Sequence, residues 1–405
     1  MFHIPATTIS SLKHPGPLMT SEPGSFAHNT FKVRVPRILD EIVELNRFPS
    51  EVLSAMRSLR NEIMSGHINP ITEQAIDQMF WNTASEPWIG KSWLEAPWYW
   101  AESYFYRRVL EACHYFQPGE RYLIDPYTPQ KMSELAPDAA PHTLAIKLTA
   151  LPQEQPARIT ALLHNSLWGN RTDLSYNVAN TLGTAGVMWD AEPSANLLVD
   201  DSAIVLDKLL SPACRQVTVI TDNAGTELLM DLALVDELLS CGLVERVEMV
   251  LKEQPFFVSD AMVSDMRSTI AVMQKSPEPL HSLGMRLEHY IDAGRLVLTS
   301  HWFFTTCLFY AQMPPDLRAS LGRANLVILK GDANYRRLLS DACWLPATSF
   351  AKATDYFPAP FVALRTLKAE IIVGLPEGAA ERLTQQDPDW RVNGRRGVIQ
   401  MNTLE

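Results

Sequence analysis

At 405 residues the chain is long enough for two domains, or for one large domain with an appended helical bundle. Hydrophobic residues make up 46% and charged residues 20%, the balance of an ordinary globular protein. The net charge of -11 excludes the basic surplus that nucleic-acid binding usually needs, although an acidic protein can still hold a small phosphate locally through a metal.

Taken in chain order, residues 1–30 read as an irregular arm rich in Pro, Ser, Thr and Gly. They hold no apolar run of signal-peptide length, and no stretch of the chain approaches the roughly 18 apolar residues of a membrane span. The cytoplasm is the expected compartment. The five cysteines, Cys113, Cys214, Cys241, Cys307 and Cys343, are scattered without a C-x-x-C pair and read as reduced thiols.

Residues 31–165 read as a helical domain. Ile38, Leu39, Ile42, Val43 and Leu45 form one apolar face, and Val52, Leu53, Met56, Leu59 and Ile63 another. The aromatic segment Trp93 to Tyr106 reads as a buried helix, in which Glu102, Arg107 and Arg108 are charges that require partners. Residues 117–150 are Pro-rich and read as a long connection. Ala157 to Leu167 reads as a further helix, which Gly169 and Asn170 could close before Asp173 opens the next; the same polar residues could line a pocket.

Residues 166–405 then take on an α/β rhythm. Val217, Thr218, Val219, Ile220 and Thr221 are β-branched without a break, the mark of a strand buried on both faces. Candidate strands are 216–221, 246–252, 295–299, 325–330 and 369–374, with helices at 225–240, 260–275, 281–292 and 333–340. The pattern predicts an α/β fold: a helical N-terminal domain packed on a Rossmann-like α/β/α sandwich with a mainly parallel sheet.

In such a sheet ligands bind at the carboxyl ends of the strands. The first strand ends in Asp222 and Asn223, and the second leads to Asp260. The fourth ends in Lys330, Gly331, Asp332, Asn334, Tyr335 and Arg336, and the fifth is approached through Arg365, Thr366 and Lys368. Oxygen donors without His or Cys suit Mg²⁺ or Mn²⁺ better than zinc, and Arg336, Arg365 and Lys368 suit a phosphate. Asp222 and Asp260 could instead cap their following helices. The recurrence of acids and cations at successive strand ends favours a phosphoryl-transfer site. No P-loop, G-x-G-x-x-G turn or G-x-S-x-G elbow is present, and Ala224 stands where an Asp-x-Asp phosphatase motif would place its second acid.

The D-N-A-G-T-E turn, Asp260 in F-F-V-S-D, K-G-D-A-N-Y-R-R-L and R-T-L-K together resemble the metal-dependent damage-control phosphatases. The R-T-x-K tetrad is similar to the subgroup acting on sugar phosphates, whose animal member is also described as an acidic-residue carboxyl methyltransferase. P-W-Y-W-A-E-S-Y-F-Y-R-R, W-G-N-R-T-D-L-S and W-R-V-N-G-R-R-G-V-I-Q extend the resemblance over nearly the whole chain from about residue 30. Ala333 stands where many relatives carry Leu.

The resemblance implies a helical domain joined to an α/β/α sandwich. It makes Asp222, Asn223 and Asp260 the ligands of a divalent ion (Mn²⁺, Ni²⁺, Co²⁺ or Mg²⁺). Asp332, Asn334, Tyr335, Arg336 and Lys368 would contact a small phosphorylated sugar such as fructose 1-phosphate or fructose 6-phosphate, with Asp332 binding hydroxyls or accepting a proton. Asp222 is a ligand or the nucleophile itself. Glu227 matches a position associated with S-adenosylmethionine. Neither a nucleic acid nor a membrane is an expected partner. Two alternatives remain: a methyltransferase using S-adenosylmethionine, which would lack the usual glycine-rich turn, and a sugar-phosphate sensor without catalysis.

Overall fold

The computed structural model describes residues 12–169 and 196–404. Among the described residues seven strands form one sheet: β1 (Leu197–Asp200), β2 (Gln216–Ile220), β3 (Arg246–Leu251), β4 (Leu296–Ser300), β5 (Leu326–Lys330), β6 (Phe361–Thr366) and β7 (Gly397–Asn402). The strand order is β1-β7-β6-β5-β2-β3-β4. From β6 to β4 neighbouring strands are parallel; β7 pairs antiparallel with β6, and β1 runs parallel to β7.

Alternation along the strands explains the unbroken apolar runs, because both faces are covered. Val217, Val219, Leu326, Ile328, Val362 and Leu364 enter one core, while Ile220, Val327, Leu329, Phe361 and Ala363 enter the other. The second of these cores also contains Phe31, Ile38, Trp81, Trp93, Tyr99 and Phe105, so the N-terminal helices cover that face of the sheet directly. The helices Gln155–Gly169, Thr226–Ser240, Val263–Lys275 and Leu280–Asp292 cover the opposite face. Along the chain, the change from one core to the other falls between Tyr127 and Leu135. The expected domain boundary at 165 lies inside the helix Gln155–Gly169.

Three expectations need correction. Residues 117–150 are not one connection but contain the helices Thr128–Glu134 and Ala140–Thr149, each with its proline in the first turn, where a missing N–H costs nothing. Residues 369–374 form no strand; the strand is β6, just upstream, and Ile371, Ile372 and Val373 are buried without joining the ladder. The strand ends were also read without β1 and β7, which turn the sheet's edge antiparallel. Asn170 and Asp173 lie outside the described residues.

Connections from β2 lead to β3 and β4 on one side, whereas β5 and β6 lie on the other. The order therefore reverses between β2 and β5. In open α/β sheets this switch point is where two loops part and leave a crevice at the carboxyl edge.

Candidate active site

The ends of β2 and β3 are tied together at the crevice. Thr221 donates its N–H and its hydroxyl to Val250 O, at 3.1 and 2.9 Å. Beyond them the loops pair again, as Ala224 N donates to Ser259 O at 2.6 Å and Ala261 N to Asp222 O at 2.8 Å. These bonds place Asn223 opposite Asp260 in an isolated antiparallel bridge. The helices that follow are capped by Gly225 and Met262, so neither Asp222 nor Asp260 serves as an N-cap. Asn223 Nδ2 donates to Asp222 Oδ2 at 3.1 Å and to Glu227 Oε2 at 2.8 Å, and Ser259 Oγ donates to Asn223 Oδ1 at 2.6 Å.

Three buried lysines back this group. Lys252 lies 3.0 Å from Asp260 Oδ2 and donates to Thr221 O. Lys131 donates to Asp260 O at 2.9 Å while paired with Asp125 and Asp265. Lys330, the last residue of β5, lies 3.2 Å from Glu227 Oε1 and 3.0 Å from Asp231 Oδ1. Burial pushes the Asp231 carboxyl up to about 7, against the opposing pull of Lys330.

The facing wall comes from the end of β5. Gly331 takes a φ of +80°, and a Cβ there would be built into the Asp222 carboxylate. Asp332 follows, and its Oδ1 accepts from Arg365 Nε at 2.7 Å and from Lys368 N at 3.2 Å. Arg336 sits one turn on. Its guanidinium donates to both oxygens of Asp341 and, at 2.6 Å, to Glu102 Oε2, and it lies 3.7 Å from the centre of the Trp98 ring. Burial opposes the Arg336 charge, but Asp341 and Glu102 outweigh it and hold the group above its ordinary range. The other oxygen of Glu102 faces Arg34 at 3.6 Å.

One cleft gathers Asp222, Asn223, Asp260, Asp332, Arg336 and Lys368 from the sheet edge. Other expected site residues stand behind its wall. Asn334 Nδ2 donates to Thr221 O and Lys330 O, and Tyr310 OH donates to Asn334 Oδ1, so this amide staples β5 to β2. Tyr335 OH donates to Gln400 Oε1, and the Tyr335 ring carries the Arg365 guanidinium 4.2 Å from its centre. Arg365 is itself fully buried and donates to Ala369 O and Ile371 O. Glu227 is 1% exposed, behind Asn223.

Sequence reasoning missed Arg34, Trp98, Phe257 and Ser259, which also line the cleft; Glu102 it had flagged only as a charge in need of a partner. The partners are Arg336 and Arg34. Arg107, by contrast, is taken up by Asp77 and Glu73, and Arg108 by Glu62 and Glu111, away from the cleft. Arg34 ends a five-residue π-helix, Thr30–Arg34, a turn type frequent at functional sites. Phe257 has a φ of +49°, strained for a bulky residue. Neither feature has a signature in sequence. All five cysteines are free thiols, and no described helix is long and apolar enough to cross a membrane.

Residues 30–383 match the profile of the damage-control phosphatase ARMT1-like domain. The chain is 32% identical to the damage-control phosphatase ARMT1 of Mus musculus, covering 96% of this chain and 98% of that one. The ARMT1 proteins of Danio rerio and Homo sapiens are also 32% identical, over 96% and 95% of this chain and 97% and 98% of theirs. A crystal structure of a DUF89 family protein from Pyrococcus horikoshii aligns over 92% of this chain and 98% of its own, with a TM-score of 0.47 and 13% identity. On the profile match and the near full-length similarity, the chain belongs to the ARMT1-like damage-control phosphatase domain family and is an enzyme of the phosphatase class.

Proposed function

We propose that the cleft hydrolyses a small sugar phosphate, of the fructose 1-phosphate or fructose 6-phosphate kind, with the help of one divalent ion. The observation that carries this reading is the convergence of Asp222, Asn223 and Asp260 with Arg336 and Lys368 on one cleft at the switch point of the sheet. The donors are two carboxylates and an amide, with no His or Cys among the described lining residues, which fits Mg²⁺ or Mn²⁺ better than zinc; the family resemblance adds Co²⁺ and Ni²⁺. A divalent ion held by these three residues would supply Lewis-acid stabilisation of the charge on the phosphoryl oxygens.

Charge supports the same substrate. The charged lining residues and the ion-pair partners named above balance, with Arg34, Lys252, Arg336, Arg365 and Lys368 set against Glu102, Asp222, Asp260, Asp332 and Asp341. A divalent ion would leave the site two positive charges in surplus, the complement of a phosphomonoester above its second pKa of about 6.

The chain's own groups then divide the work. Arg336, fixed by Asp341 and Glu102, and Lys368 hold the phosphoryl group in place, so that little reorganisation accompanies reaction. Asp332, clamped through Oδ1, presents its carboxylate to bind a sugar hydroxyl or take the proton of the attacking group. At about 40 Å³, where one water needs roughly 10–15 Å³ on the same measure, the cleft has room for an ion and a few waters.

The test is phosphate release from a panel of sugar phosphates by chelator-stripped protein, with each metal restored separately. We expect metal-dependent release from fructose phosphates, and losses of roughly 10²–10³-fold or more in Asp222→Ala and Asp260→Ala. Equal release with and without metal, or near-wild-type turnover in either variant, would refute the assignment.

A further inference from the structure

We propose that Glu227, mounted on Lys330 and opposed by Ser259, is a positioning residue that fixes the amide of Asn223 with its oxygen turned to the metal. This rests on the metal-site reading above and adds to it the device that sets the third ligand.

An asparagine offers a metal its oxygen, never its NH₂, and the two ends of the amide are nearly the same size. Something must therefore decide which end faces the ion. Nδ2 of Asn223 stands between Asp222 Oδ2 at 3.1 Å and Glu227 Oε2 at 2.8 Å. Ionised carboxylates only accept, so the NH₂ end is required on that side. On the other side Ser259 Oγ donates to Oδ1 at 2.6 Å, and a carbonyl oxygen retains a second lone pair. The carboxylates thus select one orientation of the amide, and the Ser259 hydroxyl, which can donate or accept, completes it.

Glu227 performs this role from a fixed base. It is 1% exposed and does not line the cleft. Oε1 faces Lys330 Nζ at 3.2 Å, and Lys330 is held in turn by Asp231 Oδ1 at 3.0 Å, Ser166 Oγ at 2.9 Å and Ser166 O at 2.6 Å. Ser166 Oγ donates to Asp231 Oδ1 at 2.6 Å. The arrangement runs from the helix Gln155–Gly169 through the end of β5 to the first turn of the helix Thr226–Ser240. A glutamine at 227 cannot replace the glutamate, because it has one accepting end. If that end faces Asn223, its NH₂ opposes the Lys330 ammonium; if it faces Lys330, its NH₂ opposes the NH₂ of Asn223.

The experiment is calorimetric titration of Mn²⁺ into chelator-stripped wild-type protein, Glu227→Gln and Ser259→Ala, with a melting curve of each. We expect both variants to bind more weakly, Glu227→Gln by about 10–100-fold, the usual cost of removing a partner that orients a metal ligand. Turnover at saturating Mn²⁺ should recover far more than affinity does, a split that a general loss of structure would not give. A Glu227→Gln dissociation constant within about twofold of wild type overturns the proposal; if that variant does not fold, the same result in Ser259→Ala overturns it. Absence of Mn²⁺ binding by the wild type would instead remove the metal-site reading itself.

Discussion

Gly331 shows how closely the two strand ends approach. Its φ of +80° lies in the left-handed region that disfavours side chains, and the space a Cβ would need is taken by the Asp222 carboxylate. Alanine there must displace either the β5 turn or Asp222. A shift of about 1 Å at a reacting group can cost roughly 100-fold in rate. Gly331→Ala should therefore lower kcat/KM by at least about 100-fold, and its metal affinity should fall as well, because the Asp222 side chain gives way more easily than the backbone of the turn. Steady-state kinetics with a Mn²⁺ titration check this, and wild-type values for both would show that the turn has slack. Glycine was visible in K-G-D-A-N, but its contact was not, since the two residues are more than a hundred positions apart.

The helix Trp98–Ala112 is the element that joins the N-terminal part of the chain to the sheet edge. Glu102 stands between Arg34 and Arg336, and Trp98 lies under the Arg336 guanidinium. A hydrogen bond to a charged group is worth about 1.5–3 kcal/mol. Glu102→Gln should thus loosen Arg336 and raise KM for a sugar phosphate about tenfold or more, with a smaller change in kcat. An unchanged KM would mean that Asp341 alone positions Arg336. This element also shows how far the sequence could be read. Its burial was legible from the run of aromatics, and the acid among them required a partner, but which arginine answered it depends on a contact across 234 positions. The strand β2 and its turn were legible because β-branched runs and polar turns are local signals. β6 was hidden by Arg365, a charge that suits a phosphate better than a buried strand until Asp332 and two backbone carbonyls are seen to receive it. The helices at Thr128 and Ala140 were hidden by prolines that begin helices as readily as they end them. Asn334 and Tyr335 were expected at the substrate because their segment was; the helical turn sends only Asp332, Ala333 and Arg336 of it to the cleft, and Arg365, on β6, lies behind the wall.

At the scale of the whole molecule, the two helical layers press a set of charges into the interior, and their ionisation bears on stability. Glu227, Asp231 and Lys330 are each 2% exposed or less and place two carboxylates against one ammonium. Burial raises the Asp231 carboxyl from its ordinary 3.8 to about 7, so the folded state holds that proton when the unfolded chain has released it. Below pH ~4 both states are protonated and the group costs nothing. As pH rises toward 7 the unfolded chain ionises freely while the native state does not, so this contribution to stability falls across the window and is constant above it. Asp231→Asn removes the titration and leaves Lys330 facing the single carboxylate of Glu227. The decline in Tm between pH 5 and pH 7.5 should therefore be smaller in the variant than in wild type by a few degrees, and the two proteins should differ most above pH 7. Melting curves at those two values decide it: parallel declines would mean that Asp231 is ionised in the folded protein throughout, with Lys330 and Ser166 sufficient to carry its charge.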